Sequence, residues 1–156
     1  MTPSDRGSQN VRGMSASSSA TVAHAPIDVH WVGDLNFEAG RLDGPKARID
    51  GDARTAPSPF DVLLAAIATC AATDVVTILE KQRTPPQALA VRVEASRVAS
   101  VPRRLASAIL HFSVKAPGTT LEKATRAVEL SVTKYCSVRS SLIADVPVTW
   151  TVALEA

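Results

Sequence analysis

Apolar and polar positions alternate from the start of the ordered pattern. Ile27, Val29 and Trp31 face one way and Asp28 and His30 the other, the period of a half-buried strand. Gly33-Asp34 offers a turn, and Leu35–Glu38 predicts a short second strand. Asp43-Gly44 is the strongest hairpin signal in the chain and leads to a strand near Lys46–Asp50. Residues 51–57 read as a loop. The pattern then changes. SPFDVLLAAIATCAATDVVTILEK, Ser58 to Lys81, is almost wholly apolar from Val62 to Ala72, and its Ala and Leu content predicts a buried helix. Ser58 suits the cap, Pro59 the first turn, and Asp61 completes a capping box. Lys81, Arg83 and Pro85-Pro86 mark the end.

Alternation returns over Ala88–Ala99, with Leu89, Val91, Val93 and Ala95 on one face, and over Ala106–Lys115, with Ala108, Leu110, Phe112 and Val114 together. The basic link Val101-Pro102-Arg103-Arg104 fits a hairpin tip, so these two strands should be antiparallel. Thr119 and Glu122 open a second helix, on which Leu121, Ala124, Val128, Val132 and Tyr135 recur at helical spacing. Cys136 follows at a break, Ser140–Ala144 could continue the helix, and Val146, Val148, Trp150 and Val152 alternate in a closing strand. Three strands, a long helix, two strands, a helix and a strand make an α+β fold, helices covering one face of an antiparallel sheet.

Composition narrows the function classes. Seventeen Lys+Arg against fifteen Asp+Glu leave a charge of +2, and aromatics are 4%. Neither favours nucleic acid or an anionic membrane. The apolar run of the long helix is too short for a membrane span, and Asp74 would fall inside it. Residues 1–24 are Ser-, Gly- and Ala-rich, without an apolar segment of the signal-peptide kind, and read as a flexible tail before a domain at 25–156. Two cysteines do not make a disulfide framework, which points to a reducing, cytoplasmic setting.

Those cysteines are the candidate chemistry. Leu63, Ala66, Ile67, Thr73, Asp74 and Thr77 share the Cys70 side of the helix, surroundings that raise a thiol pKa. Cys136, in TKYCSVRSSL, sits at a helix start beside Lys134 and Arg139, an environment that favours thiolate. Asp61 reads first as a capping residue, half a turn round the wheel from Cys70. Arg41, Arg48 and Arg54 lie in or beside loops before the helix. His30 and His111 have no metal-ligand spacing, and no metal or other cofactor is expected.

SPFDVLLAAIATCAATDVVTILEK followed by KYCSVRSSL resembles the OsmC/Ohr family, the osmotically inducible and organic hydroperoxide resistance proteins. A Pro-acid-Leu-Leu-Ala-Ala segment there leads to a cysteine in the central helix, and a second cysteine ends the next long helix. The order βββαββαβ matches as well, over about residues 26 to 154. The DVV after the first cysteine looks most like an OsmC-like branch. The resemblance implies an antiparallel sheet wrapped around the long central helix in an intertwined homodimer. It implies that Cys70 is oxidised by an organic hydroperoxide and resolved by Cys136, and that a thiol reductant of lipoyl type restores the pair.

Two departures accompany it. The family's Glu falls at Phe60 and its Arg at Gly33-Asp34; the nearest substitutes are Asp61 and Arg41. The expected function is a thiol-dependent peroxidase in oxidative-stress defence. The alternative is a non-enzymatic dimer of the same fold that binds a small apolar ligand or senses redox state.

Overall fold

The computed structural model describes residues 20–155. The expected tail at 1–24 falls mostly outside them, and residues 20–24 are exposed and belong to no helix or strand. Strands β1 (Asp28–Gly33), β2 (Asn36–Gly40) and β3 (Lys46–Asp50) form an antiparallel meander. Its first turn holds Gly33 and Asp34 at φ of 115° and 47°, the left-handed half of backbone space that Gly and Asp enter at least cost. Asp50 ends β3, and its buried carboxylate gathers the loop that follows. It accepts from the N–H groups of Asp52, Arg54 and Thr55 and from the Thr55 hydroxyl at 2.8–3.2 Å. The Thr55 hydroxyl and N–H, foremost among these donors, hold that carboxyl far below the usual carboxylate range.

Helix α1 (Pro59–Lys81) starts where the sequence predicts. Ser58 Oγ accepts the Asp61 N–H at 3.2 Å, and Asp61 Oδ2 accepts the Ser58 N–H at 2.9 Å, a complete capping box. By length and mean hydropathy alone α1 could cross a membrane, although its uninterrupted apolar run stops short of Asp74. Packing puts it in the core instead. Ile67, Ala71, Val75 and Leu79, four residues apart, are fully buried in the hydrophobic cluster of this chain.

Strands β4 (Ala88–Arg97), β5 (Leu105–Lys115) and β6 (Val148–Leu154) form a second sheet with β5 in the middle. β4 and β5 are antiparallel as expected, with Val91 opposite Phe112 and Val93 opposite Leu110. The predicted inner face of β5 (Ala108, Leu110, Phe112, Val114) is buried. β6 departs from the antiparallel expectation and runs parallel to β5, Leu110 opposite Trp150. The cause is α2 (Leu121–Leu130), which carries the chain back along the sheet as a crossover, the connection a parallel pair requires.

Helix α2 is capped by Thr120, not Thr119: its Oγ1 accepts the Lys123 N–H at 3.3 Å. Ala124, Ala127 and Val128 are buried against α1 and the sheet. Leu121 and Tyr135, expected on that face, are half exposed. Tyr135 ends a π turn (Ser131–Tyr135), whose extra residue per turn rotates it off the α2 stripe. A short helix α3 (Ser137–Ser140) follows. The first sheet is less covered than its pattern implies. Val29 and Trp31, predicted half-buried, are 62% and 68% exposed because no element among the described residues lies over them.

Leu79→Ala empties a fully buried site and should cost about 2–5 kcal/mol. Ser58→Ala removes a cap at about 1 kcal/mol. Urea unfolding at one protein concentration checks both, with a lowered midpoint and an unchanged slope expected.

Candidate functional site

The site begins where α2 widens. In the π turn the Cys136 N–H donates to Ser131 O at 2.8 Å. Ser131 is fully buried, and its hydroxyl donates to Ala71 O at 2.7 Å, pinning the turn to α1 one residue after Cys70. The chain then turns into α3 with Cys136 as its N-cap. Cys136 Sγ accepts the Arg139 N–H at 3.3 Å and lies 3.9 Å from Ile67 O, one turn before Cys70. From the α1 side, Cys70 is partly buried with its Sγ 3.9 Å from Ser137 Oγ. The Val138 N–H, the Cys136 thiol and the hydroxyl and N–H of Ser137 lie near enough to the Cys70 sulfur to favour its thiolate. Both cysteines are free thiols and neighbours.

Their electrostatics differ. Desolvation of Cys70 pushes its thiol up, but the donors outweigh it, led by the Val138 N–H and then the Cys136 thiol, and the net shift is downward. Desolvation pushes Cys136 the other way, to about 11; the Arg139 N–H opposes that, and proximity to Cys70 adds to it. The pair thus favours a Cys70 thiolate that accepts the proton of Cys136 in a hydrogen bond.

This reverses the sequence expectation on both sides. Cys136 was expected to favour thiolate and Cys70 to resist it. Cys136 is only 1% exposed, so loss of water governs it despite its place at a helix start. Cys70 needs no side-chain cation for its downward shift, because backbone N–H groups supply the positive field. Sequence reasoning missed Ser131, Ser137 and Val138. The last two contribute N–H donors, which carry no residue-type signature; a buried serine in a helix facing another helix could have been suspected only from its place on the apolar face.

Asp61 is held by Ser58, whose hydroxyl and N–H keep its carboxyl below the usual range. Arg41 lies in the β2–β3 turn, its carbonyl accepting from Gly44 and the Lys46 ammonium, beside a cleft lined by Pro26 and Asp28. Asp74, one turn beyond Cys70, has a buried Oδ2 without a hydrogen-bond partner among the described residues. Also among the described residues, no three His, Cys, Asp or Glu side chains gather as a metal ion would require.

A sequence model of the family described as OsmC-like protein matches residues 50–151, from the end of β3 into β6. The chain belongs to the OsmC-like protein family. It is 36% identical over 122 residues to Protein YhfA of Escherichia coli strain K12, a match covering 78% of this chain and 91% of that protein. The crystal structure of an OsmC-like protein from Mycoplasma pneumoniae superposes with a TM-score of 0.73 at 15% identity, covering 86% of this chain and 99% of that one. An organic hydroperoxide resistance protein OsmC from Legionella pneumophila superposes at 0.60 with 16% identity, over 86% and 99%. The α+β fold expected from the residues is therefore the family's fold.

Cys136→Ala removes one donor from the Cys70 sulfur. The pH profile of Cys70 alkylation should then move to higher pH than that of the unmodified protein. An unmoved profile would show that Cys136 does not contribute to the thiolate.

Proposed function

We propose that this protein is a thiol-dependent peroxidase that reduces organic hydroperoxides and works as a homodimer. The observation that carries the reading is the pair itself, a partly exposed thiol with a depressed pKa beside a buried one with a raised pKa. The Cys70 thiolate attacks the distal oxygen of R–O–O–H. The O–O bond breaks, RO⁻ leaves and takes a proton as the alcohol, and Cys70 becomes a sulfenic acid. Loss of the Cys70 negative charge then removes one of the effects that raise Cys136. The Cys136 sulfur attacks the Cys70 sulfur, its proton leaving with the hydroxyl as water, and a disulfide forms. A dithiol reductant, of lipoyl type by family resemblance, returns the pair to thiols as it becomes a disulfide itself. Two free thiols held this close fit a reducing, cytoplasmic compartment. Asp61 supports Cys70 by fixing the start of its helix, and Arg41 serves only where the dimer brings the β2–β3 turn to the pocket.

The dimer is supported by what the single chain leaves bare. Asp61, Ala65, Thr69, Thr73 and Thr77 form an exposed row on α1, four residues apart, ending at Lys81. The hydroxyls of Thr69, Thr73 and Thr77 donate to the carbonyls one turn back at 2.7–3.0 Å. The row is therefore small and its polar groups are already satisfied. An antiparallel copy of α1 about a two-fold axis sets Thr69 against Thr73, Ala65 against Thr77 and Asp61 against Lys81, a self-complementary ridge contact. Exposed Val29 and Trp31 on the first sheet need the same kind of cover.

A second reading has its own observation. Phe60 stands where the family's Glu would be and stacks under the Arg97 guanidinium at 4.3 Å. Without the family's Glu and Arg the thiol chemistry is slow, and the dimer serves as a redox-sensing or ligand-binding module.

Stopped-flow oxidation of the reduced protein by an alkyl hydroperoxide separates the two. The peroxidase requires rapid thiol loss that vanishes in Cys70→Ser, and a disulfide that also vanishes in Cys136→Ser; oxidation at a free-thiol rate in all three proteins leaves the second reading. Thr73→Arg places a long cation at the centre of the α1 row and should convert the dimer to monomer in sedimentation velocity. A dimer that persists sinks this α1 contact.

A further inference from the structure

Between the start of α1, the β4–β5 hairpin and the segment after α3 lies a cleft of about 300 Å³. Its walls are Phe60 and Leu63 of α1, Leu105 of β5, and Leu142 and Val146. An adjoining hollow of about 240 Å³ shares Leu142 and Val146 and is bordered by Arg139. The mouth is basic. Arg103 and Arg104 line it, and the Arg97 guanidinium lies 4.3 Å over the Phe60 ring.

These arginines carry little compensating charge. Arg97 spends its Nε on Arg103 O at 2.6 Å, which fixes the group and leaves its two terminal nitrogens available. Arg104 pairs with Asp145 at 3.2 Å. Arg103 has no ion-pair partner among the described residues. Planar guanidinium groups beside an apolar slot select a planar anion on an apolar body, the head taken by two parallel N–H bonds.

We propose that this cleft binds an apolar chain ending in a carboxylate. The carboxylate rests on Arg97 and Arg103, and the chain lies between Phe60, Leu63 and Leu142. Leu63 is two turns ahead of Cys70 on the same side of α1, about 10 Å along the axis. The Leu142 wall follows closely on α3, whose Ser137 hydroxyl lies 3.9 Å from the Cys70 sulfur. The ligand therefore lies beside the thiol pair and against the segment that tunes it. Binding requires no thiol chemistry.

Isothermal titration of the full chain carrying Cys70→Ser, with decanoate below its micelle concentration, tests this. One saturable site per chain is expected, with decanol about tenfold weaker because it lacks the charge. Added salt should weaken decanoate and leave decanol unchanged. Arg103→Gln alters an exposed side chain with no ion-pair partner among the described residues; it should weaken decanoate severalfold while the melting temperature stays put. Arg97→Gln, which also gives up the Arg103 O bond and the Phe60 stack, should weaken decanoate too. Absent saturation, equal binding of decanol, or undiminished binding by both variants overturns the proposal. Tighter binding of decyl phosphate overturns the carboxylate assignment. Decanoate has no O–O bond and the probe protein lacks Cys70, so failure here leaves the peroxidase reading untouched.

Discussion

The structure depends on the join between the end of α2 and the middle of α1. Ser131 gives its hydroxyl to Ala71 O, and the Cys136 thiol lies against Ile67 O. Both acceptors are helix carbonyls already bonded within α1, so their second lone pairs do this work at no cost to the helix. Ser131 is fully buried, and a buried hydroxyl left unpaired would cost about 1–3 kcal/mol, which makes this seat the one in which α2 is at rest. The wide π turn follows from it. An extra residue in the turn lets Cys136 leave the α2 axis and begin α3 above Cys70.

That placement divides the labour between the thiols. Two sulfurs of identical chemistry differ because one is shut from water and the other receives N–H groups from Ser137 and Val138. No side-chain cation is needed for the downward shift of Cys70, which matters in a chain that has Phe60 and Gly33-Asp34 where its family places Glu and Arg. The backbone can supply thiolate stabilisation that the sequence no longer advertises.

The single chain is also incomplete as a surface. The three-stranded β1–β3 sheet keeps Trp31 and Val29 in the open, and one side of α1 is a row of Ala and back-bonded Thr. The membrane-like hydropathy of α1 has the same origin. In the dimer proposed above, α1 would be packed on one side by its own chain and on the other by a copy of itself, with no face left to be strongly polar. The arginines at the β4–β5 end make a basic mouth beside an apolar cleft.

Much of this was legible in the residues. The capping box of α1, the alternation of β5 and the Gly33-Asp34 turn are local patterns, read correctly because neighbours in sequence are the partners that matter. Cys70 and Cys136 could be singled out, and SPFDVLLAAIATC with KYCSVRSSL led to the family. The parallel pairing of β6, the cap at Thr120 and the thiolate preference were misread. Each depends on groups brought from elsewhere in the chain or on a one-residue choice between equal candidates. The sequence by itself determined the elements, their order and the two sulfurs. Tertiary structure alone decided which sulfur is shifted toward the thiolate, because a thiol's ionisation answers to water and N–H dipoles, and those at Cys70 come from residues more than sixty positions away.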